Sequence, residues 1–330
     1  RNSSLQFASN ASTTRFASNA STAWFASNAS TTWFTSRVTL AYIQTSIMPR
    51  RCMSEEVLLV ENMQIDNTSP PGGLVSIWTL NRPNKLNSLN SESHKALKEA
   101  CEMAESNDLI RVIVIRGASP ITPLEGKRAK PASFAAGADI SEFLGKNSDD
   151  VRDFFEDNAW ERVWNLSKPT IAMVDGFALG GGAELALSCD IRIASDRSKF
   201  GTPEINLGLI PGGGGTQRLC RLIGYGKALE MVLTGDMISS ETALSCGLVN
   251  AVTTPDNLNS VTMSLAENIA RKSPYTTKVA KRAVRASLDL PFTDGVLAER
   301  SEFVALFDTE DKEIGVQAFL DRSDAKWVGR

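Results

Sequence analysis

An α/β domain followed by an all-helical region is predicted from three observations. Short β-rich runs alternate with longer stretches of helical spacing, and alternation of that kind builds sheets covered by helices. The strand runs are apolar almost throughout, which marks strands buried on both faces. From about Val261 onward the text is nearly all helical.

The elements follow in order. LVSIWTL (74–80) is apolar and β-branched, and NRP stops it. SESHKALKEACEMAES (91–106) has helical spacing, with Ser91 as the expected N-cap. RVIVIRG (111–117) is a buried-strand run ended by Gly117, and VRDFFEDNAWERVWNL (151–166) is expected as one helix. TIAMVDG (170–176) is a strand, followed by a Gly-rich turn and the helix GGAELALSC; DIRIASD (190–196) is again a strand.

The first 54 residues stand apart. They hold Arg1, Arg15, Arg37, Arg50 and Arg51 but no lysine and no acid, so residues 55–330 carry 30 basic against 38 acidic side chains, a net of −8. An Arg-bearing, acid-free, Ser/Thr-rich leader has the composition of an organelle presequence, and a mitochondrial matrix location is expected. Its FASNAST repeats place Phe7, Phe16, Phe25 and Phe34 nine residues apart, too short a period for a solenoid unit. The sequons at Asn2, Asn10, Asn19 and Asn28 lack a compact apolar h-region beside them, which argues against secretion. The expected division is a disordered leader (1–54), a core (55–260) and a helical C-terminal region (261–330).

Composition excludes several chemistries. The 330 residues are 42% hydrophobic and 22% charged, enough for a sizeable core. No apolar run reaches the length of a membrane span, so no membrane partner is expected. The single histidine, His94, leaves little room for His-ligated metals or Ser–His and Cys–His nucleophiles, and no metal site is expected. It reads as a solvated residue of the first helix, while Met and Trp in the helices read as core. Five scattered cysteines form no C-x-x-C pair and read as reduced thiols.

Two glycine runs carry the chemical signal. ALGGGAE (178–184) lies between a strand and a helix, where backbone N–H groups can approach a ligand and a helix N-terminus favours negative charge. Such a loop binds phosphate, holds a developing oxyanion, or is simply a tight packing turn. PGGGGTQR (211–218) lacks dinucleotide-loop spacing, and in GYGKA (224–228) Ala228 stands where a P-loop needs Ser or Thr. Glu184 follows the first run, and Glu204 precedes the second in FGTPEINLG. Each reads either as a solvated first-turn acid or as half of a proton-transfer pair.

KPTIAMVDGFALGGGAELALSCDIRIASDRSKFGTPEINLGLIPGGGGTQRL (168–219) resembles the signature region of the enoyl-CoA hydratase/isomerase, or crotonase, superfamily. The resemblance runs upstream through NRPNKLNSLN (81–90) and FAAGADISEF (134–143). Downstream it takes in LTGDMISSETALSCGLVNAV (233–252) and SEFVALFDTEDKEIGVQAF (301–319), so that it spans about 57–327. It implies a crotonase-like spiral of β-β-α units with a helical trimerisation region, assembled as a homotrimer or hexamer. It also implies an acyl-CoA thioester substrate, with coenzyme A as part of the substrate and no separate cofactor. The oxyanion hole it implies is the backbone N–H of Ala138 and of Gly181. The catalytic pair is Glu184, orienting water, and Glu204, protonating C2. Contacts to the CoA moiety fall on Lys85, Leu86, Ala136, Gly137, Asp139, Ile140, Phe303 and Lys326. With both glutamates present, hydration of a 2-enoyl-CoA is implied. The alternatives are an enoyl-CoA delta isomerase, or a methylglutaconyl-CoA hydratase that also binds RNA. For the latter the helix 91–106, with two Lys against four Glu, offers no basic face, so a nucleic-acid partner is not expected. The segment 117–139 is longer than the family's usual connection. Its Lys127, Arg128 and Lys130 form either a plain surface insertion or a basic rim for CoA phosphates.

Overall fold

A computed structural model describes residues 56–121 and 129–330. The leader with its repeats, and Lys127 and Arg128, lie outside the described residues. The strands are β1 (Leu58–Gln64), β2 (Leu74–Leu80), β3 (Ile110–Gly117), β4 (Ser133–Ala135), β5 (Thr170–Val174), β6 (Phe177–Leu179), β7 (Ile191–Ser195), β8 (Lys199–Gly201), β9 (Ile238–Ser239) and β10 (Ala251–Thr253). The helices are α1 (Ser91–Ser106), α2 (Ser148–Glu156), α3 (Ala159–Trp164), α4 (Gly181–Ser188), α5 (Gly215–Ile223), α6 (Tyr225–Thr234), α7 (Ser240–Ser245), α8 (Pro255–Ala270), α9 (Pro274–Ala286), α10 (Phe292–Ala305) and α11 (Glu310–Asp321).

Two sheets grow in step. The larger has the order β1-β2-β3-β5-β7-β10, antiparallel only between β1 and β2; the smaller has the order β4-β6-β8-β9. Each successive turn of the chain lays one strand on the large sheet and then a short one on the small sheet. Thus β5 pairs β3 while β6 pairs β4, and β7 pairs β5 while β8 pairs β6. The chain is a spiral whose turns stack through backbone hydrogen bonds.

Both faces of the large sheet are buried, and the strand sequences show why. Along β3, Ile113 and Ile115 enter one apolar cluster with Trp78, Leu80, Ala172 and Val174. Val112 and Val114 enter a second with Val75, Ile77, Ile171 and Met173. Period-two alternation with apolar residues at both phases has this result. Helix α8 covers the second face through Leu258, Met263, Ala266 and Ala270. It begins at Pro255, so the division expected at residue 260 falls inside a helix that belongs to the core.

Local chemistry corrects three expectations. The cap of α1 is Asn90, whose side chain accepts from Ser93 N at 2.9 Å, and not Ser91. The single helix expected over 151–166 is two, because Asn158 ends one and starts the other: its Nδ2 donates to Phe155 O (2.7 Å) and its Oδ1 accepts from Glu161 N (2.8 Å). His94 is buried against Phe154 and Trp160, with ring centroids 4.6 and 4.5 Å away, and is not solvated. Desolvation, aided by Lys98, lowers its pKa to about 4, so it is neutral. Of the helical Trp and Met, Trp160, Met231 and Met263 are core residues, but Met103 is exposed.

After α11 the chain returns along the C-terminal region. Buried Asp311 accepts from Ser273 Oγ (2.5 Å) and from the backbone N–H of Val328 (2.6 Å) and Gly329 (3.1 Å). Three donors on one carboxylate offset its desolvation and fasten the tail.

Candidate active site

The site forms where three successive turns of the spiral meet. The first turn supplies the loop after β4. There Gly137 O accepts from Leu89 N (2.8 Å) and Asp139 N donates to Leu89 O (2.7 Å). Backbone groups of an extended segment alternate sides, so the N–H of Ala138, between these two, faces the opposite way. Gly137, at φ +107°, makes the turn that permits this.

The second turn supplies Gly180–Gly182 at the start of α4. Gly181 lies against the first loop, since a Cβ added to it would come within 3.5 Å of Ala138 N. Trp160 Nε1 donates to Gly181 O at 2.8 Å and holds the peptide from behind. Gly181 opens the helix, where N–H groups have no intrahelical acceptor. The two predicted oxyanion donors are therefore brought together at a positive helix end.

Glu184 sits one turn into α4 and is 2% exposed, so the solvated first-turn reading does not hold. Its Oε1 accepts from Gly213 N (2.7 Å) and Gly215 N (2.8 Å), which explains the second glycine run: a Cβ on Gly215 would lie 2.9 Å from that oxygen. Arg218 holds this loop in turn, donating to Gly213 O (2.6 Å) and to Glu161 Oε1 (2.7 Å). Burial pushes the Glu184 carboxyl up to about 7, with the charge of Glu204 adding to the rise and the two N–H bonds opposing it.

The third turn supplies Glu204, in the short 3-10 turn Pro203–Leu207 after β8. Its Oε1 lies beside Gly180, where a Cβ would stand 2.8 Å away; Gly180 is at φ +49°. Its Oε2 is buried and has no hydrogen-bond partner among the described residues. Burial raises its pKa as well. The arrangement thus has two backbone donors for a developing anion and two carboxyls of raised pKa, one anchored and one with a free oxygen. It suits proton transfer beside an enolate.

A stability measurement reads the state of Glu184. Its folded pKa lies above the ordinary carboxyl value of 4.5, so the native chain holds a proton that the unfolded chain has released. That contribution is fully present below the ordinary value and is lost as pH rises through about 7. Urea titrations between about pH 5 and pH 8 are expected to contain this as a decline on the order of 3 kcal/mol, set against the rise that buried His94, with its lowered pKa, contributes over the lower part of the same window. Glu184→Gln is expected to remove it, and an unchanged slope in that variant would refute the assignment.

The residues expected at the CoA path divide into two groups. Leu86, at φ +52°, offers its carbonyl to Ala136 N (3.0 Å) and Ser133 Oγ (2.8 Å), which joins the Lys85–Leu86 turn to the loop of Ala136 and Gly137. Lys85 is exposed at that turn, as is Ile140 at the next. Lys130 Nζ donates to Asn84 O and so reaches the same turn. The Asp139 carboxylate is occupied within the chain: bonds from Ser141 Oγ (2.7 Å) and Arg82 (2.8 Å) lower its pKa to about 2. Phe303, 61% exposed on α10, meets Phe307 edge-on, and Lys326 lies exposed on the tail. Neither takes part in the hydrogen bonds that join the 82–89 and 133–139 loops.

Sequence reasoning missed four supporting residues. Arg82 and Asn87 clamp the first loop: Asn87 Nδ2 donates to Ala118 O (3.0 Å) and Ser133 O (2.7 Å). Trp160 and Arg218 hold the second and the glutamate-binding loop. None carries a local signal, since each has a partner far along the chain: Asp139 for Arg82, Ser133 for Asn87, Gly181 for Trp160 and Glu161 for Arg218. Among the described residues no group of three His, Cys, Asp or Glu could hold a metal, and no helix is long and apolar enough to cross a membrane.

Comparison with known proteins bears on the family and the fold. The family profile described as Enoyl-CoA hydratase/isomerase matches residues 72–330. A probable enoyl-CoA hydratase of Rhizobium meliloti is 42% identical over 280 residues, 84% of this chain and 100% of its own. A probable mitochondrial enoyl-CoA hydratase of Dictyostelium discoideum is 38% identical, over 79% of this chain and 90% of its own. The crystal structure of an enoyl-CoA hydratase from Bacillus anthracis superposes with a TM-score of 0.73 at 32% identity, covering 83% of this chain and 100% of that one.

Proposed function

The chain belongs to the enoyl-CoA hydratase/isomerase family, and from that premise we propose that it is a hydro-lyase. It adds water across the C2=C3 bond of a 2-enoyl-CoA to give a 3-hydroxyacyl-CoA. The observation that carries this is the pair Glu184 and Glu204 on consecutive turns of the spiral, the first held by the N–H groups of Gly213 and Gly215 and the second lying beside Gly180.

The residues divide the work. The N–H groups of Ala138 and Gly181 hold the thioester oxygen and stabilise it as negative charge develops. Glu184, fixed through Oε1 by Gly213 and Gly215, orients the water and takes its proton as oxygen bonds to C3. The C2=C3 electrons move into the thioester, giving an enolate. Glu204, through its free oxygen, delivers a proton to C2 as the enolate collapses. The pair has exchanged one charge, and proton exchange with solvent restores it. An isomerase needs one such carboxylate to shuttle a proton between C2 and C4. The second, anchored carboxylate favours water addition.

Coenzyme A arrives as part of the substrate, and no separate cofactor enters. The turn bearing Lys85 and Leu86, with Ala136, Gly137 and Ile140, provides the CoA path. Phe292 and Phe319, 88% and 85% exposed on α10 and α11, support self-association as a homotrimer or hexamer. The acid-free leader supports a mitochondrial matrix location. Purified protein is expected to remove the enoyl-thioester ultraviolet absorbance of crotonyl-CoA. Binding of crotonyl-CoA without that loss would shift the assignment to isomerisation or to a longer or branched substrate.

A further inference from the structure

Away from the oxyanion loops, at the other end of α4, lies a second cavity of about 540 Å³. That size is within the range of small-molecule sites. Its apolar wall comes from Leu187, Leu222, Ile269 and Leu288, with exposed Ala280 at the mouth, while the Trp164 ring is stacked by Arg285 (3.7 Å) and Arg218 (4.6 Å). Gly181 and Leu187 stand at opposite ends of the helix, about 9 Å apart along its axis. The cavity is therefore separate from the place where the thioester oxygen is held.

Its charge is one-sided. Five cations line it: Arg192, Arg218, Arg221, Lys281 and Arg285. Two carboxylates answer them. Asp190 serves both Lys281 (2.7 Å) and Arg285 (2.6 Å), and Glu161 serves Arg218. Arg192 is absorbed by the carbonyls of Leu248, Cys189 and Ala186. Arg221, exposed to solvent, has no carboxylate partner among the described residues; its hydrogen bonds go to the carbonyl oxygens of Leu288 and Gln217 and the Gln217 amide oxygen. An apolar cleft with surplus cations at its wall is complementary to an apolar body bearing one anionic group.

We propose that this cavity is a second binding site, for an amphipathic carboxylate such as a medium-length straight-chain acid, with Arg221 as its charge partner. It communicates with the active site through Arg218, which lines the cavity and also fixes the carbonyl of Gly213, whose N–H holds Glu184. A ligand there acts on the rate of the chemical step and leaves the acyl-CoA site open. This coupling rests on the hydratase reading, whereas the binding does not.

The test is calorimetric titration of decanoate into the full chain saturated with butyryl-CoA, which blocks the acyl-CoA site and does not react. Saturable binding of one decanoate per chain is expected. Arg221→Gln is expected to weaken it at least about ten-fold, the order of one lost charge-assisted contact. Ala280→Trp, which fills the mouth, is expected to abolish it, and decanol is expected to bind at least about ten-fold more weakly than decanoate. Displacement of decanoate by butyryl-CoA, or equal affinity in wild type and both variants, would overturn the site. With crotonyl-CoA, decanoate is expected to change kcat and leave KM unaltered in wild type, with no effect in Arg221→Gln. A change confined to KM would overturn the coupling. Absence of turnover in every sample would count against the hydratase reading and leave the titration to decide the site.

Discussion

Replacement of Glu204 by glutamine is expected to lower kcat for crotonyl-CoA hydration by about 10²–10⁴-fold, the usual worth of a positioned acid or base. Butyryl-CoA binding should stay within a few-fold of wild type. The substitution keeps the shape of the side chain, so the close approach to Gly180 is preserved. What disappears is a transferable proton at Oε2, the oxygen that has no hydrogen-bond partner among the described residues. Glu184→Gln is also expected to fold, because its amide oxygen can still accept from Gly213 and Gly215. It should lose turnover too, for want of a group to take the water's proton. Stopped-flow loss of enoyl-thioester absorbance measures kcat, and calorimetry with butyryl-CoA measures binding. Near-normal turnover in Glu204→Gln would end its assignment as the acid that protonates C2.

Gly182→Ala is expected to damage activity and stability together. A Cβ there would overlap the carbonyl oxygen of Ala135 and stand 2.7 Å from the Ala135 Cβ. Ala135 ends β4, and its backbone has no side-chain freedom with which to yield. Relief requires α4 to move away from the first loop, and that separates Gly181 from Ala138. Loss of one oxyanion donor alone costs about 10²–10³-fold in kcat. Overpacking of a tight core contact costs about 1–3 kcal/mol in addition. The expected outcome is at least a hundred-fold fall in kcat together with a lower urea midpoint. Wild-type kinetics in this variant would show that the close approach of the two loops is not required.

Much of this could be read from the sequence because the strands and glycine loops announce themselves locally. The apolar runs 74–80 and 111–117 became β2 and β3 almost to the residue, since burial on both faces removes any polar phase. The small sheet was not legible. Its strands have two or three residues, too few to show a period, and they are placed by pairing with the neighbouring turn. The break at Asn158 was hidden for a similar reason, because a cap inside an amphipathic stretch leaves the apolar spacing intact. His94 sits on a polar-looking helix, and its burial depends on Phe154 and Trp160, some sixty residues later in the chain. For the site, the glutamates and glycine runs were visible as residue types, and the family resemblance supplied their roles. The hands that hold them, Arg82, Asn87, Trp160 and Arg218, were not visible. Each has a partner distant in the sequence, and Arg218 reaches Glu161 as well as nearby Gly213.

The stepwise stacking of strands has a consequence for which changes the chain can absorb. Ala138, Gly181 and Glu204 come from consecutive turns, so their spacing is set by the pitch of the spiral, which is the distance between hydrogen-bonded strands. The length of chain spent going around each turn does not enter. A loop on the circumference can therefore lengthen or shorten without moving a catalytic atom. A single methylene between two turns cannot be added without moving several. Variation along this chain is thus partitioned by direction: tolerated around the coil, refused along its axis.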